Sequence, residues 1–385
     1  MRFLHLGDLH LGKSLGDFDL IGDQKYILDQ MLAVIRERTV DAVLIAGDVY
    51  DKAIPSEAAT NLLDYFLCRL AETGVKTFLI SGNHDSDDRL NYGSRLFQDN
   101  QIFISSVFRG ELEKYTVEDE QGEVDVYLLP FVKASQVRHY FPDAKIDSYD
   151  DAVRVIIEHA HLDRQKRNVI VAHQFVAGRS EDPVLAGSES IGTQSVGLVE
   201  KISYDCFDPF DYVALGHIHR PQKMGRETLR YSGTPLKYSF SEVDHKKSVT
   251  IVELLEKGNV QINTVPLVPM RDMRKVRGTY MEVTAKERYT AENKMDYLQI
   301  TLTDEEDVPG ALQKLRTIYP NLMRLEYDNK RTRENREVQA VEAQEQKSEL
   351  ELFGEFYKLL NNEPMKEEQT EFMERLIQNL KEVQA

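Results

Sequence analysis

Arg2-Phe3-Leu4-His5-Leu6-Gly7-Asp8-Leu9-His10 sets a pattern that governs the chain: a short apolar run, a glycine, then polar side chains able to bind metal. The pattern recurs. Asp41-Ala42-Val43-Leu44-Ile45-Ala46 runs into Gly47-Asp48, and Val75-Lys76-Thr77-Phe78-Leu79-Ile80 into Ser81-Gly82-Asn83-His84-Asp85. Further on, Asn168-Val169-Ile170-Val171-Ala172 reaches His173, and Asp211-Tyr212-Val213-Ala214-Leu215 reaches Gly216-His217-Ile218-His219. The runs lack clean alternation, as expected of strands covered on both faces. Helical patterns lie between several of them, at Gln24 to Arg38 and Ser56 to Glu72. Alternating strand and helix predicts βαβ units. Such sheets bind ligands beyond the carboxyl ends of their strands, where the polar blocks fall.

The candidate ligands are Asp8, His10, Asp48, Asn83, His173, His217 and His219. Imidazole mixed with carboxylate suits zinc, manganese or iron. Two ions roughly 3.5–4 Å apart would clamp the attacking and leaving oxygens of a displacement at phosphorus. Holding two cations so close needs a bridging carboxylate, and Asp48, alone in its block, is the candidate. Taken singly, each residue has a plainer reading. A lone histidine beside a strand is more often structural, Asp8 could cap a turn, and Asn83 could form an Asx-turn. The seven together, in this order, point to a binuclear phosphoester hydrolase. His5, His139, His159, His161 and His245 have no metal-like neighbours and keep the structural reading.

These blocks resemble the calcineurin-like metallophosphoesterases, whose pattern is D-x-H, G-D, G-N-H-D/E, H and G-H-x-H. The likeness is closer still to the SbcD family of bacterial DNA-repair nuclease subunits, through Gly216 to Gln222, Tyr231-Ser232-Gly233-Thr234-Pro235 and Tyr238-Ser239-Phe240-Ser241-Glu242. The resemblance implies a four-layer α/β/β/α sandwich with a small α/β capping domain and a C-terminal helix pair. It implies that one metal takes Asp8, His10, Asp48 and His219, and the other Asp48, Asn83, His173 and His217. His84 would protonate the leaving oxygen or stabilise the charged phosphorane, and Asp85 would orient His84. Two divalent ions are implied, with manganese the usual activator. Asp51 departs from more distant relatives, which carry histidine there; its role stays open between helix capping, support of the metal site and catalysis.

A chain of 385 residues with 41% hydrophobic content has room for two or three domains. Two cysteines, Cys68 and Cys206, argue against a disulfide scaffold and fit a reducing cytosol. No apolar run reaches the ~18 residues that span a bilayer, and the first block starts too early for a removable leader. The expected location is cytoplasmic, at the nucleoid. The net charge of −17 is awkward for a DNA enzyme, because affinity for DNA rests on lysine and arginine contacts to phosphate. Bound metals would add about four positive charges locally, and a partner could share the binding. Arg271, Arg274, Lys275 and Arg277 form a local basic cluster, and Lys13, Arg89 and Arg179 lie near the blocks.

Composition divides the chain into residues 1–268, holding every block, and 270–328, a small α/β unit. In that unit Tyr280 to Val283, Tyr297 to Leu302 and Leu322 to Tyr327 read as strands, and Val308 to Ile318 as a helix. Residues 329–347 form a polar linker. Residues 348–385 carry two amphipathic stripes, Leu352 to Leu360 and Phe372 to Leu380. A partner groove is their expected destination, with docking on the protein's own core as the alternative. By resemblance, that segment grips the SbcC ATPase, and the chain dimerises within a heterotetramer. Gln174 to Gly197, Gly/Ser-rich and aperiodic, reads as a substrate-facing loop.

Three function classes follow. The first is a nuclease subunit that cleaves duplex ends as a 3′-5′ exonuclease and hairpins or single strands as an endonuclease. The second is a phosphatase or cyclic-nucleotide phosphodiesterase. The third is a non-catalytic scaffold, which the complete ligand set argues against. The same metal blocks would serve the first two, so the cap and tail decide between them.

Overall fold

Strand Arg2–Leu6 lies at the middle of a six-stranded sheet, in the order Val260–Pro266, Ser248–Leu254, Arg2–Leu6, Ala42–Ala46, Lys76–Ile80, Ile102–Ser105. The last four are parallel, while the first two pair antiparallel. A second six-stranded sheet repeats the plan: Gln222–Met224, Arg226–Tyr231, Tyr212–Gly216, Arg167–His173, Gly122–Leu129, Glu113–Asp119. Its four inner strands are parallel and both edges antiparallel. This computed structural model describes residues 1–178, 182–189, 201–330 and 332–333, together with positions 353, 365, 369, 370 and 373.

Side-chain alternation builds three cores from the two sheets. Phe3, Leu44, Phe78 and Ile80 meet Val126, Val169, Val171 and Ala214 between the sheets. Leu4, Leu6, Val43 and Ile45 point the other way, onto helices Ile21–Glu37 and Glu57–Thr73. On the far side Ile170, Val213 and Leu215 pack with Val153, Ile156 and Ile157 of helix Tyr149–His159. Four layers, α/β/β/α, result, as the family resemblance implied. Each fully buried Leu or Ile contributes roughly 1.5–3 kcal/mol. A one-residue slip would swap every face, so register is tightly held. His5 stands in the middle layer: Tyr212 Oη–H donates to its Nδ1 (2.8 Å) and its Nε2–H donates to Leu215 O (3.2 Å). It is structural, as expected.

Local signals explain the helices. Ser56 accepts from Ala59 N–H at 3.2 Å as N-cap, and Gly74, at φ 73°, closes the same helix. Ser148 and Asp151 form a reciprocal capping box at the start of Tyr149–His159.

The chain divides into two compact units: residues 1–276, 284–300 and 312–325, and residues 277–283, 301–311 and 326–385. Strands Met273–Gly278, Tyr297–Leu302 and Leu322–Tyr327 form a three-stranded sheet. Tyr280–Val283, expected as a strand, is instead a helical turn. Thr279 and Glu282 explain it: Thr279 N–H donates to Glu282 Oε2 (2.7 Å) and Glu282 N–H to Thr279 Oγ1 (3.3 Å), a capping box that commits the segment to helix. The expected helix over 308–318 is confined to Ala311–Arg316. The linker 329–347 and the helix pair 348–385 lie largely outside the described residues, as do positions 179–181 and 190–197 of the loop 174–197, Arg179 among them. Among the described residues no helix is long and apolar enough to cross a membrane.

Candidate metal centre

Both sheets end at one place. Asp8 and His10 follow strand Arg2–Leu6, Asp48 follows Ala42–Ala46, and Asn83 follows Lys76–Ile80. His173 closes its strand, while His217 and His219 follow Tyr212–Gly216. The backbone there is forced into the left-handed region: φ is 51° at Asp8, 45° at His10, 47° at Asp48 and 95° at His217. Such residues cost about 1–3 kcal/mol each and persist only where surroundings over-determine them. Here bonds across the sheets do so. His217 N–H donates to Asp8 Oδ1 (2.8 Å), and His173 Nδ1–H donates to Ala46 O (2.8 Å). Gln24 ties the first block down, donating to His10 O (2.7 Å) and accepting from Gly12 N–H (3.0 Å). Gly216 is obligatory, since a Cβ there would overlap the Ala46 carbonyl.

The polar atoms form two groups joined by one oxygen. Asp48 Oδ2 lies 3.6 Å from His10 Nε2 and 3.4 Å from His173 Nε2. On one side, donor atoms of Asp8, His10 and His219 lie within 4.8 Å of one another, and the two Nε2 atoms face at 3.1 Å. On the other, Asn83 Oδ1 lies 2.9 Å from His217 Nδ1 and 3.1 Å from His173 Nε2. Because His173 spends its Nδ1–H on a carbonyl, Nε2 of the neutral ring is a lone pair aimed at acceptor oxygens. Asp8 Oδ2 and His10 Nδ1 are buried without a hydrogen-bond partner. Converging lone pairs from imidazoles, carboxylates and an amide oxygen are the donor set of two divalent transition ions.

Burial and crowded charge shift these groups in different directions. Burial pushes the Asp8 carboxyl up to about 6, and it pulls the His217 imidazole down to about 3. His173 goes the other way: burial opposes its charge, but Asp48 and Asp8 outweigh that and take it up to about 9. Asp48 is held well below the usual carboxylate range, since His173 and His10 overcome its burial.

His84 borders this cluster, its ring centroid 4.9 Å from that of His10. Its backbone N–H donates to Asp48 Oδ1 (2.9 Å), and its Nδ1–H donates to the Asp51 carbonyl (2.9 Å). The expectation that Asp85 orients the imidazole is therefore corrected. Asp85 instead accepts the backbone N–H groups of Gly82 (2.9 Å), Val49 (3.0 Å) and Tyr50 (2.8 Å), stapling two ligand-bearing turns. The ring nitrogen that a carboxylate would hold, His84 Nδ1, is bonded to the Asp51 carbonyl instead. Asp51 supports the site from behind: its carboxylate pairs with Lys13 at 2.6 Å and lies 3.6 Å from His10 Nδ1.

Reading by blocks missed the groups behind the ligands: the Ala46 and Asp51 carbonyls, and a half-buried Ser188 with the buried Glu242 and Lys247 behind His219. Only Glu242 left a signal, in the stretch Tyr238 to Glu242. The basic cluster is largely neutralised. Arg271 pairs with Asp23, Arg274 with Glu292 and Asp296, and Arg277 with Asp328.

A model of the calcineurin-like phosphoesterase family matches residues 1–221. One described as the type 5 capsule protein repressor C-terminal domain matches 269–360. The chain is 35% identical over 328 residues to the SbcD subunit of the nuclease SbcCD from Staphylococcus epidermidis, covering 84% of this chain and 85% of that protein. Among solved structures, it is similar to a dimetal phosphatase from Danio rerio (14% identity, TM-score 0.38, 70% of this chain and 99% of that one). It is also similar to TT1561 of Thermus thermophilus (10% identity, TM-score 0.39, 68% and 98%). These last two likenesses have no bearing on the chemistry.

Proposed function

Because the chain belongs to the calcineurin-like phosphoesterase family and shares 35% identity with the SbcD subunit of a nuclease, we propose that it is the nuclease subunit of an SbcCD-type complex. In this reading it hydrolyses DNA phosphodiesters at a two-metal centre. One observation carries the reading: a single Asp48 oxygen stands between His10 and His173, one from each donor group. Asp8, His10, Asp48 and His219 would hold one ion, and Asp48, Asn83, His173 and His217 the other, with manganese filling both. Bound by these residues, the ions would supply positive charge to offset that of the phosphodiester and a lowered pKa for the attacking water. The chain's own residues do the rest. Asp85 fixes the turns that bear Asp48 and Asn83. His84, with Nδ1–H committed to the Asp51 carbonyl, keeps Nε2 for the proton given to the leaving oxygen. Asp51 holds Lys13, a cation at the edge of the site.

The remaining parts of the reading concern access and partners. Residues 270–328 would cap the site and shape DNA entry, and 329–347 would link to a motif at 348–385 that grips the base of the SbcC coiled coil. DNA binding is shared with that ATPase, which offsets the net charge of −17. The chain would act as a dimer within a heterotetramer, at the nucleoid, as a 3′-5′ exonuclease on duplex ends and an endonuclease on hairpins.

The test pairs the full chain and a variant lacking residues 340–385 with the ATPase partner, manganese, and hairpin or blunt duplexes, with ATP present or omitted. Loss of partner-dependent cleavage in the truncated chain, with hydrolysis of a model diester intact, supports the reading. Cleavage of the model diester by the full chain, with no DNA cleavage under any condition, would make it a small-molecule phosphodiesterase.

A further inference from the structure

Behind His219 runs a buried chain of charges whose protons can be assigned one atom at a time. Lys247 Nζ donates to Glu242 Oε2 (2.5 Å), Thr234 Oγ1 (2.6 Å) and His219 O (3.0 Å), which uses its three protons. Glu242 is wholly buried and paired with that ammonium. A carboxylate only accepts, so Ser188 Oγ–H donates to Glu242 Oε1 (2.6 Å). With its proton committed, the Ser188 oxygen, 2.7 Å from His219 Nδ1, must accept. His219 therefore carries its proton on Nδ1 and its lone pair on Nε2, the atom facing His10. Glu189 holds Ser188 in place, taking the N–H groups of Ala186 (2.9 Å), Gly187 (2.7 Å) and His219 (3.2 Å).

We propose that Ser188 is a positioning residue of the metal centre: it selects the Nδ1–H form of His219 and holds Nε2 toward the ion shared with Asp8 and His10. The proposal deepens the two-metal reading and rests on it. Ser188 is far from the blocks in sequence, in the segment between His173 and the next strand of that sheet. That segment is thus bonded to a metal-binding side chain through one hydroxyl. Partners that fix a ligating imidazole in this way typically change metal affinity about 10–100-fold when lost. Glu242 and Lys247 act one step further back, and their burial makes substitution there a test of folding rather than of positioning. Ser188 is only half-buried, so it can be changed with less disturbance.

The full chain, stripped of metal, is titrated with manganese, and free ion is followed by electron paramagnetic resonance. The wild type is expected to bind two ions. Ser188→Ala should weaken one site about 10–100-fold and leave the other within about threefold. Ser188→Thr, which keeps the hydroxyl, should restore the weakened site. Thermal unfolding of the metal-free proteins separates positioning from misfolding, and equal midpoints are expected. Two wild-type-like sites in Ser188→Ala overturn the proposal, as does a Thr variant as weak as the Ala variant. A wild type that binds fewer than two ions overturns the two-metal reading, and this proposal with it.

Discussion

His10 Nε2 and His219 Nε2 face each other at 3.1 Å across 209 residues of sequence. The Ser188 bond makes the second a lone pair, so the pair is a place for a cation, and Asp8 flanks it. Asp48 touches this group and the His173 group alike. Removing each should therefore have unequal effects. His219→Ala is expected to lower bound metal from two ions toward one, and Asp48→Ala to lower it toward none. Elemental analysis of purified protein measures both; equal losses would count against a shared oxygen.

His84 borders the donor cluster, but its ring is bonded to the Asp51 carbonyl rather than to a ligand. His84→Ala should lower DNA cleavage about 10²–10⁴-fold, the usual range for a lost proton donor, while metal content stays at the wild-type level. Cleavage at the wild-type rate would remove His84 from the chemistry.

What the sequence made legible was local. A run and a polar residue, with a glycine between them in four of the five cases, lie within ten positions, so all five turns could be found and placed at strand ends. Ser56 announced its helix in the same way. Long-range partners leave no such mark. Asp85 answers to the backbone amides of Gly82, Val49 and Tyr50, and any residue but proline would supply those donors. Arg271 looked free because Asp23 is 248 residues away. The Tyr280–Val283 turn is a different failure: Thr279-x-x-Glu282 is a capping signature that was present and outweighed by β-prone residues.

Metal uptake should depend on pH in a direction fixed by two groups. Burial pushes Asp8 up to about 6; for His173, burial is outweighed by Asp48 and Asp8, which take it up to about 9. Coordination needs Asp8 ionised and His173 Nε2 unprotonated. At pH 5 both protons must be expelled, at pH 7 chiefly that of His173, and above pH 9 neither. Apparent affinity should therefore climb from about pH 5 to about pH 9, with proton release at pH 7. Calorimetric titration in two buffers of different ionisation enthalpy counts those protons; a flat affinity over that range would contradict the assignment.

Gly47 and Gly74 share a backbone conformation, at φ 78° and 73°, but not an environment. A Cβ on Gly74, at a helix end, meets nothing within 4 Å, whereas one on Gly47 would run into the His173 ring. Gly74→Ala should cost only the left-handed strain, about 1–2 kcal/mol. Gly47→Ala should cost that and more. His173 cannot step aside without breaking its bond to Ala46 O (2.8 Å) and leaving Asn83 Oδ1 (3.1 Å). The crowding is thus relieved at the expense of one donor group, and Gly47→Ala is expected to lose metal as well as stability. Denaturant unfolding and metal analysis of the two variants decide it. If they match in both, the contact between Gly47 and His173 has no part in holding the centre together.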